Sequence, residues 1–362
     1  MTSLDDLPIR DDLRGLTPYG APQEHVRVRL NVNENTHPIP EAVATDIVTA
    51  LAGAVLGVNR YPDREFTTLR ESLADYLGHG MTRENIWSAN GSNEVLQQVL
   101  QAFGGPGRSV LGFPPTYSMH SIIASGTGTR WISAERDAGY ELSPETVVAA
   151  IERERPDIVF LCSPNNPTGT PLGLETIAAA YDATPGILLV DEAYAEFADG
   201  DTALTLLEGR PRLLISRTMS KAFAFAGARL GYLAADPAVT DALRLVRLPY
   251  HLSAFTQAAA VAALAHAPEM LAMVEDIKRQ RDRMILALPE LGYQPLPSAA
   301  NFVLFGGVAD PHAVFEALLE LDVIIRDVGI PHHLRVTAGS DAETTVFLDA
   351  LGQLESIGRI AP

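Results

Sequence analysis

Residues 186–191 read Gly186-Ile187-Leu188-Leu189-Val190-Asp191. An apolar run this short, opened by glycine and closed by an acid, suits a buried strand of a parallel sheet better than one face of a helix. Such a strand delivers its last side chain to the carboxyl edge of the sheet, where ligands bind in open α/β architectures. Similar runs stand at 109–112, 130–133, 158–162, 213–217 and 230–234. Helical patterns lie between them, including 92–103 after Asn90-Gly91 and 145–154 after Ser143-Pro144. This alternation predicts an α/β fold, with a large domain whose mainly parallel sheet lies between helices. A long helical stretch over 256–288 leads toward a smaller α+β domain. That domain is expected to hold strands at 301–305, 323–326 and 334–337, a helix over 311–321 and a closing helix from Asp341.

At 362 residues the chain exceeds one usual core, which agrees with two domains, and no internal repeat is visible. Hydrophobic residues make up 47% and charged ones 20%, a composition that folds rather than staying disordered. With 45 acidic against 27 basic residues the net charge is -18, which repels a phosphate backbone and argues against nucleic acid as a partner. An anionic ligand must therefore be caught locally, by arginine forks and helix N-termini. The single cysteine, Cys162, excludes an internal disulfide and a multi-cysteine metal site; closing the apolar run 158–161, it is expected to be a buried strand thiol. The alanine-rich stretch 258–267 is too short and mild to span a bilayer, and Leu4-Asp5-Asp6-Leu7 is no basic apolar leader. The expectation is a cytoplasmic protein with no membrane partner.

Thirty residues after Asp191 comes Lys221, in Ser216-Arg217-Thr218-Met219-Ser220-Lys221, and eight residues further on comes Arg229. A lysine among small hydroxyl residues with an arginine soon after suits an amine that condenses with the aldehyde of pyridoxal phosphate while its neighbours hold the phosphate. Asp191 completes the pattern, because a carboxylate beside a pyridine nitrogen keeps that nitrogen protonated. Taken alone, a strand-end aspartate is more readily a turn cap, and the company of Lys221 turns the reading toward the cofactor. The turn Pro164-Asn165-Asn166-Pro167-Thr168-Gly169 presents Asn166, and Tyr194 lies three residues after Asp191. Both offer donors to the cofactor's ring oxygen, although turn chemistry alone also explains the first. Gly91-Ser92-Asn93 opens a helix whose free amides form a phosphate cradle or an ordinary cap. Thr218, Ser220 and Arg229 are further phosphate ligands by type. Tyr117 suits stacking on a ring or plain core packing. Arg326 and Arg335, on predicted strands, form either an anion clamp or surface ion pairs.

These residues, together with Leu30-Asn31-Val32-Asn33-Glu34-Asn35, Asn59-Arg60-Tyr61-Pro62-Asp63, Ala89-Asn90-Gly91-Ser92-Asn93-Glu94, Asp191-Glu192-Ala193-Tyr194, Ala300-Asn301-Phe302-Val303 and Ile325-Arg326-Asp327-Val328, resemble the fold-type I pyridoxal-phosphate aminotransferases nearly end to end. The runs 100–108 and 247–253 are similar to the histidine-pathway members in particular. The resemblance implies a seven-stranded sheet and three parts: an N-terminal arm, 1–40, joining the small domain and a dimer interface; a large cofactor-binding domain, 41–270; and a small domain, 271–362. It implies that Lys221 carries the cofactor, Asp191 holds the pyridine nitrogen, Asn166 and Tyr194 contact the ring oxygen, and Tyr117 stacks. Phosphate binding falls to Gly91, Ser92, Asn93, Thr218, Ser220 and Arg229, with Tyr61 reaching across from a second subunit of a homodimer. Substrate binding falls to Arg335, assisted by Arg326, Asn166 and Tyr19. The implied reaction is amino transfer between L-histidinol phosphate and 2-oxoglutarate, giving imidazole-acetol phosphate and L-glutamate in histidine biosynthesis, with no metal. An aromatic amino acid aminotransferase and a phosphothreonine decarboxylase remain the other readings. Thr36, where a proline often follows Asn35, and Ala299, where an acid often precedes Ala300, depart from the pattern and bear on substrate fit.

Overall fold

The computed structural model describes residues 3–15 and 18–356; residues 1–2 and 16–17 of the expected arm and 357–362 of the expected small domain lie outside the described residues. After a two-residue strand, β1 (Val28–Arg29), come β2 (Ile86–Ala89), β3 (Ser109–Gly112), β4 (Arg130–Ser133), β5 (Ile158–Cys162), β6 (Ile187–Asp191), β7 (Leu213–Thr218) and β8 (Gly231–Ala234). The last seven form one sheet in the order β2-β8-β7-β6-β5-β3-β4. From β4 to β7 all neighbours are parallel, while β8 runs antiparallel to both β7 and β2. Every residue of β5, β6 and β7 is buried, as expected for strands covered on both faces. Cys162, at the end of β5, is the buried thiol expected, and its Sγ–H points to the Pro164 carbonyl at 3.6 Å.

The helices α1 (Glu41–Leu56), α2 (Thr67–Leu77), α3 (Ser92–Phe103), α4 (Met119–Gly126), α5 (Pro144–Glu154), α6 (Leu174–Ala183) and α7 (Pro237–Val246) accompany these strands. The expected single helix over 256–288 is instead two, α8 (Ala254–Leu264) and α9 (Ala267–Ala287), bent by 78° at the break. Pro268 sits in the first turn of α9, where its missing N–H costs nothing. In a continuous helix its ring would collide with the carbonyl four residues back, and the chain turns there instead. Strand β2, Ile86–Ala89, was not foreseen. Among the described residues no single helix is long and apolar enough to cross a membrane.

Beyond α9, β9 (Gln294–Pro295), β10 (Phe302–Gly306), α10 (Pro311–Glu320), β11 (Val323–Ile324), β12 (Leu334–Thr337) and α11 (Asp341–Ser356) follow. An antiparallel sheet takes the order β12-β10-β9, while β11 pairs in parallel with β1. The strand expected over 323–326 is therefore only Val323–Ile324, and Arg326 makes an isolated bridge to Arg335. The switch of partner explains the shortening, since the first two residues pair with β1 and the bridge belongs to the strand bearing Arg335. Through β1 the segment 31–35 is drawn between the two sheets, and Thr337 N–H donates to the Leu30 carbonyl at 2.9 Å.

Arg217, on β7, lies buried behind this edge. Its guanidinium grips Glu192 Oε2 through Nε at 3.0 Å and Nη2 at 2.8 Å, and stands 3.6 Å from Glu196. Removing the cation strands two buried carboxylates, so Arg217→Leu is expected to cost about 3–5 kcal/mol of stability. The check is the denaturant midpoint of the variant, and an unchanged midpoint would refute the assignment.

Candidate active site

Asp191 is 1% exposed at the carboxyl end of β6. Its Oδ2 lies 3.0 Å from His120 Nε2, while Oδ1 is buried without a hydrogen-bond partner among the described residues, and the residue lines a deep cleft. A buried carboxylate oxygen left unpaired is costly, and it marks where a cationic or N–H group of a ligand is wanted. His120 was missed in the sequence. The signal available was its place one turn after Tyr117; the two rings meet edge to face at 5.5 Å.

Because β7 and β8 are antiparallel neighbours, residues 219–230 connect them across the same edge of the sheet, and this loop carries Lys221 and Arg229 together. The half-buried Lys221 donates through Nζ to the Val32 carbonyl at 3.2 Å. Burial, and then the positive charge of Arg335, push its amine down to about 8 from the ordinary 10.5. Thr218 Oγ1 lies 2.9 Å from Ser220 Oγ and accepts from Ser220 N–H at 3.1 Å. Beside them α3 begins after Gly91, whose φ of 86° suits glycine and whose added Cβ would stand 2.5 Å from Arg229 Nη2. Gly231 likewise has no room for a Cβ, which would collide with the Ser92 amide nitrogen. The start of α3 is thus seated on β8. Ser92, Asn93, Thr218, Ser220 and Arg229 all line the same cleft, and helix-start amides, hydroxyls and a guanidinium are together a set suited to a phosphate. Tyr117 closes this side, donating from its hydroxyl to Asn93 Oδ1 at 3.2 Å.

Opposite stands Arg335, on β12 and 7% exposed. Its Nη1 donates to Asn166 Oδ1 at 2.6 Å and its Nη2 to the Asn31 carbonyl at 2.8 Å, while Nε is buried without a partner among the described residues. Its partners are an amide and a carbonyl rather than a carboxylate, and it is buried, so the alternative of a surface ion pair does not apply. Burial lowers it to about 10. Asn166 Nδ2 donates in turn to the Tyr194 hydroxyl at 3.3 Å, and Asn33 Nδ2 reaches the same oxygen at 2.9 Å. Arg326 is half-buried and its Nη2 reaches the Gly20 carbonyl at 3.4 Å, next to Tyr19 at the mouth. The cleft holds about 590 Å³, within the range of small-molecule sites.

With this geometry in place, residues 26–351 match the family model for aminotransferase class I and II. The chain belongs to this family. It is 61% identical over 356 residues to the histidinol-phosphate aminotransferase of Paenarthrobacter aurescens, with 97% of this chain and 96% of that one covered. It is 55% identical to the enzyme of the same name from Thermobifida fusca, covering 99% and 97%. Its structure is similar to that of histidinol-phosphate aminotransferase from Sinorhizobium meliloti in complex with pyridoxal-5'-phosphate, with a TM-score of 0.86, 27% identity, and 97% and 98% covered.

Of the residues singled out in the sequence, Tyr61 alone stands apart from the cleft of this aminotransferase: it is 79% exposed and stacked on Tyr250 at 4.4 Å. Gly91 borders the cleft through Ser92 and Arg229. The two departures from the family pattern lie close by. Ala299 N–H donates to the Gly169 carbonyl at 2.9 Å, in the turn that carries Asn166, and the Thr36 hydroxyl is buried without a partner among the described residues.

Proposed function

We propose that this aminotransferase holds pyridoxal 5'-phosphate on Lys221 and moves an amino group between L-histidinol phosphate and 2-oxoglutarate, giving imidazole-acetol phosphate and L-glutamate in histidine biosynthesis. The observation that carries the reading is the unpaired, buried Asp191 Oδ1 in the same cleft as the depressed Lys221 amine. These residues fit the cofactor: a carboxylate for the pyridine nitrogen, an amine for the aldehyde, and the Gly91-Ser92-Asn93 turn with Thr218, Ser220 and Arg229 for the phosphate. When bound, the cofactor supplies a protonated ring that draws electrons from the substrate's α-carbon.

The protein's own groups do the rest. Lys221, displaced by the substrate amine, holds and returns the proton of the α-carbon. His120 keeps Asp191 oriented, Tyr194 and Asn166 face the ring oxygen, and Tyr117 stacks on the ring. Arg335, with Arg326 beside it and Tyr19 at the mouth, receives the substrate's phosphate or the carboxylate of the keto acid, a dual task that a guanidinium fork suits. Tyr61 of a second copy completes the phosphate site of a homodimer. That proposal is supported by the exposed apolar side chains Leu56, Val58, Tyr61 and Leu248, which ask for cover. The division at about residues 40 and 270 is supported by the separate sheets on either side of α9. A cytoplasmic location accords with a biosynthetic role.

The test is a half-reaction. Holoenzyme mixed with histidinol phosphate and no keto acid is expected to convert its cofactor absorbance fully to the amine form. Faster conversion by phenylalanine would favour the aromatic reading, and release of carbon dioxide would favour a decarboxylase. In the same assay Arg335→Ala is expected to lower kcat/KM for histidinol phosphate by about 10²-fold or more, the effect of truncating one partner of a buried charge contact. Unchanged kcat/KM would show the clamp misplaced.

A pH dependence follows from Lys221. Below about 8 its amine is protonated and cannot attack an aldehyde, so covalent loading of apoenzyme should rise with pH and level off above that value. Stopped-flow absorbance from about pH 6 to 10 reads this, on a scale set by the ordinary 10.5 of a lysine amine. A rate still climbing steeply above about pH 9 would contradict it, because an unperturbed amine behaves that way.

A further inference from the structure

We propose that Asn33 is a positioning residue that fixes Tyr194 as a hydrogen-bond donor into the cleft. Asn33 is 2% exposed, has a left-handed φ of 57°, and is held on every polar atom. Its N–H donates to Thr337 Oγ1 at 3.0 Å, its carbonyl accepts from Asn301 Nδ2 at 3.1 Å, and its Oδ1 takes the Thr337 hydroxyl at 3.2 Å. The side-chain amide is thereby turned so that Nδ2 donates to the Tyr194 oxygen at 2.9 Å.

The second donor to that oxygen is Asn166 Nδ2, at 3.3 Å. Its orientation is equally determined, because Asn166 Oδ1 accepts from Arg335, and a guanidinium has only donors. A phenol oxygen offers two lone pairs and one proton. Both lone pairs are filled by amide N–H groups, so the proton must leave on the remaining side, which is the cleft that Tyr194 lines. Burial raises the Tyr194 hydroxyl above its ordinary range, so it keeps the proton. Tyr194 is left with one role, that of donor, and Asn33 enforces it from the C-terminal sheet through Thr337 and Asn301.

The inference rests on the reading that Tyr194 faces the cofactor's ring oxygen, and the experiment separates the two. The spectroscopic pH titration of the lysine-bound cofactor is measured for the unaltered holoenzyme, Tyr194→Phe, Asn33→Gly, Asn33→Asp and the double variant Asn33→Gly/Tyr194→Phe. The glycine substitution keeps the left-handed backbone and both main-chain bonds, and the aspartate substitution keeps the Thr337 contact but accepts where the native amide donates. Tyr194→Phe is expected to raise the midpoint by roughly one to two pH units, the worth of a hydrogen bond to a charged acceptor. Asn33→Gly is expected to raise it by part of that amount, and Asn33→Asp by more than Asn33→Gly. In the Tyr194→Phe background Asn33→Gly should add nothing. If Tyr194→Phe shifts the midpoint and neither Asn33 variant does, or if Asn33→Gly shifts it as much without the hydroxyl, the inference is overturned. A Tyr194→Phe enzyme that titrates unchanged would remove the reading beneath it.

Discussion

Lys221→Ala is expected to lower turnover by on the order of 10⁴-fold or more, since in the proposed function one amine serves both as the covalent anchor and as the proton carrier at the α-carbon. The loss should appear in kcat as well as kcat/KM, because among the described residues no other amine lines the cleft. Arg229, Arg326 and Arg335, the other cations there, carry guanidinium groups and offer no amine to condense with an aldehyde. Two measurements check this. Borohydride reduction followed by peptide mapping should locate a pyridoxyl adduct on residue 221 of the unaltered protein and none in the variant. Steady-state turnover within about 100-fold of the parent would sink the assignment, since that is far above the residual activity of a site lacking its nucleophile.

Asp191→Asn is expected to reduce kcat/KM by on the order of 10²–10³-fold, the usual cost of removing one preorganised electrostatic partner from a buried site. The amide occupies nearly the same volume and still meets His120, so geometry is preserved while the charge is lost. A second readout separates chemistry from folding. In the cofactor-free protein Asp191 Oδ1 is already an unpaired buried acceptor, and replacing a desolvated charge by a neutral amide should leave the melting temperature level or higher. Full activity at neutral pH would show that the carboxylate does not hold the pyridine nitrogen, and a large fall in melting temperature would show a structural role instead.

What the sequence made legible was local. The runs ending in Cys162 and Asp191 announced buried parallel strands because both faces are apolar, and Lys221 with Arg229 fell within one loop, so their company was visible along the chain. The Gly91 turn could be read because its demand for glycine is written in one residue. His120 and Asn33 could not be read that way. His120 meets Asp191 across 71 residues, and Asn33 meets Tyr194 across 161 and Thr337 across 304. Their importance resides in tertiary pairing, which no periodicity records. The break between α8 and α9 was missed for a different reason: the alanine-rich pattern outweighed Pro268, whose stereochemistry decides the bend. Arg335 was assigned to the right strand, while its burial beside Asn166 emerged only from packing.

The pairing of Val28 with Val323, and of Arg29 with Ile324, has a consequence for biogenesis. The chain through Thr337 must leave the ribosome before residues 31–35 acquire their final neighbours, because Arg335 and Thr337 are among those neighbours. A nascent chain halted after the seven-stranded sheet therefore has Lys221 but no finished wall opposite it, and the cleft is complete only once β12 has been made.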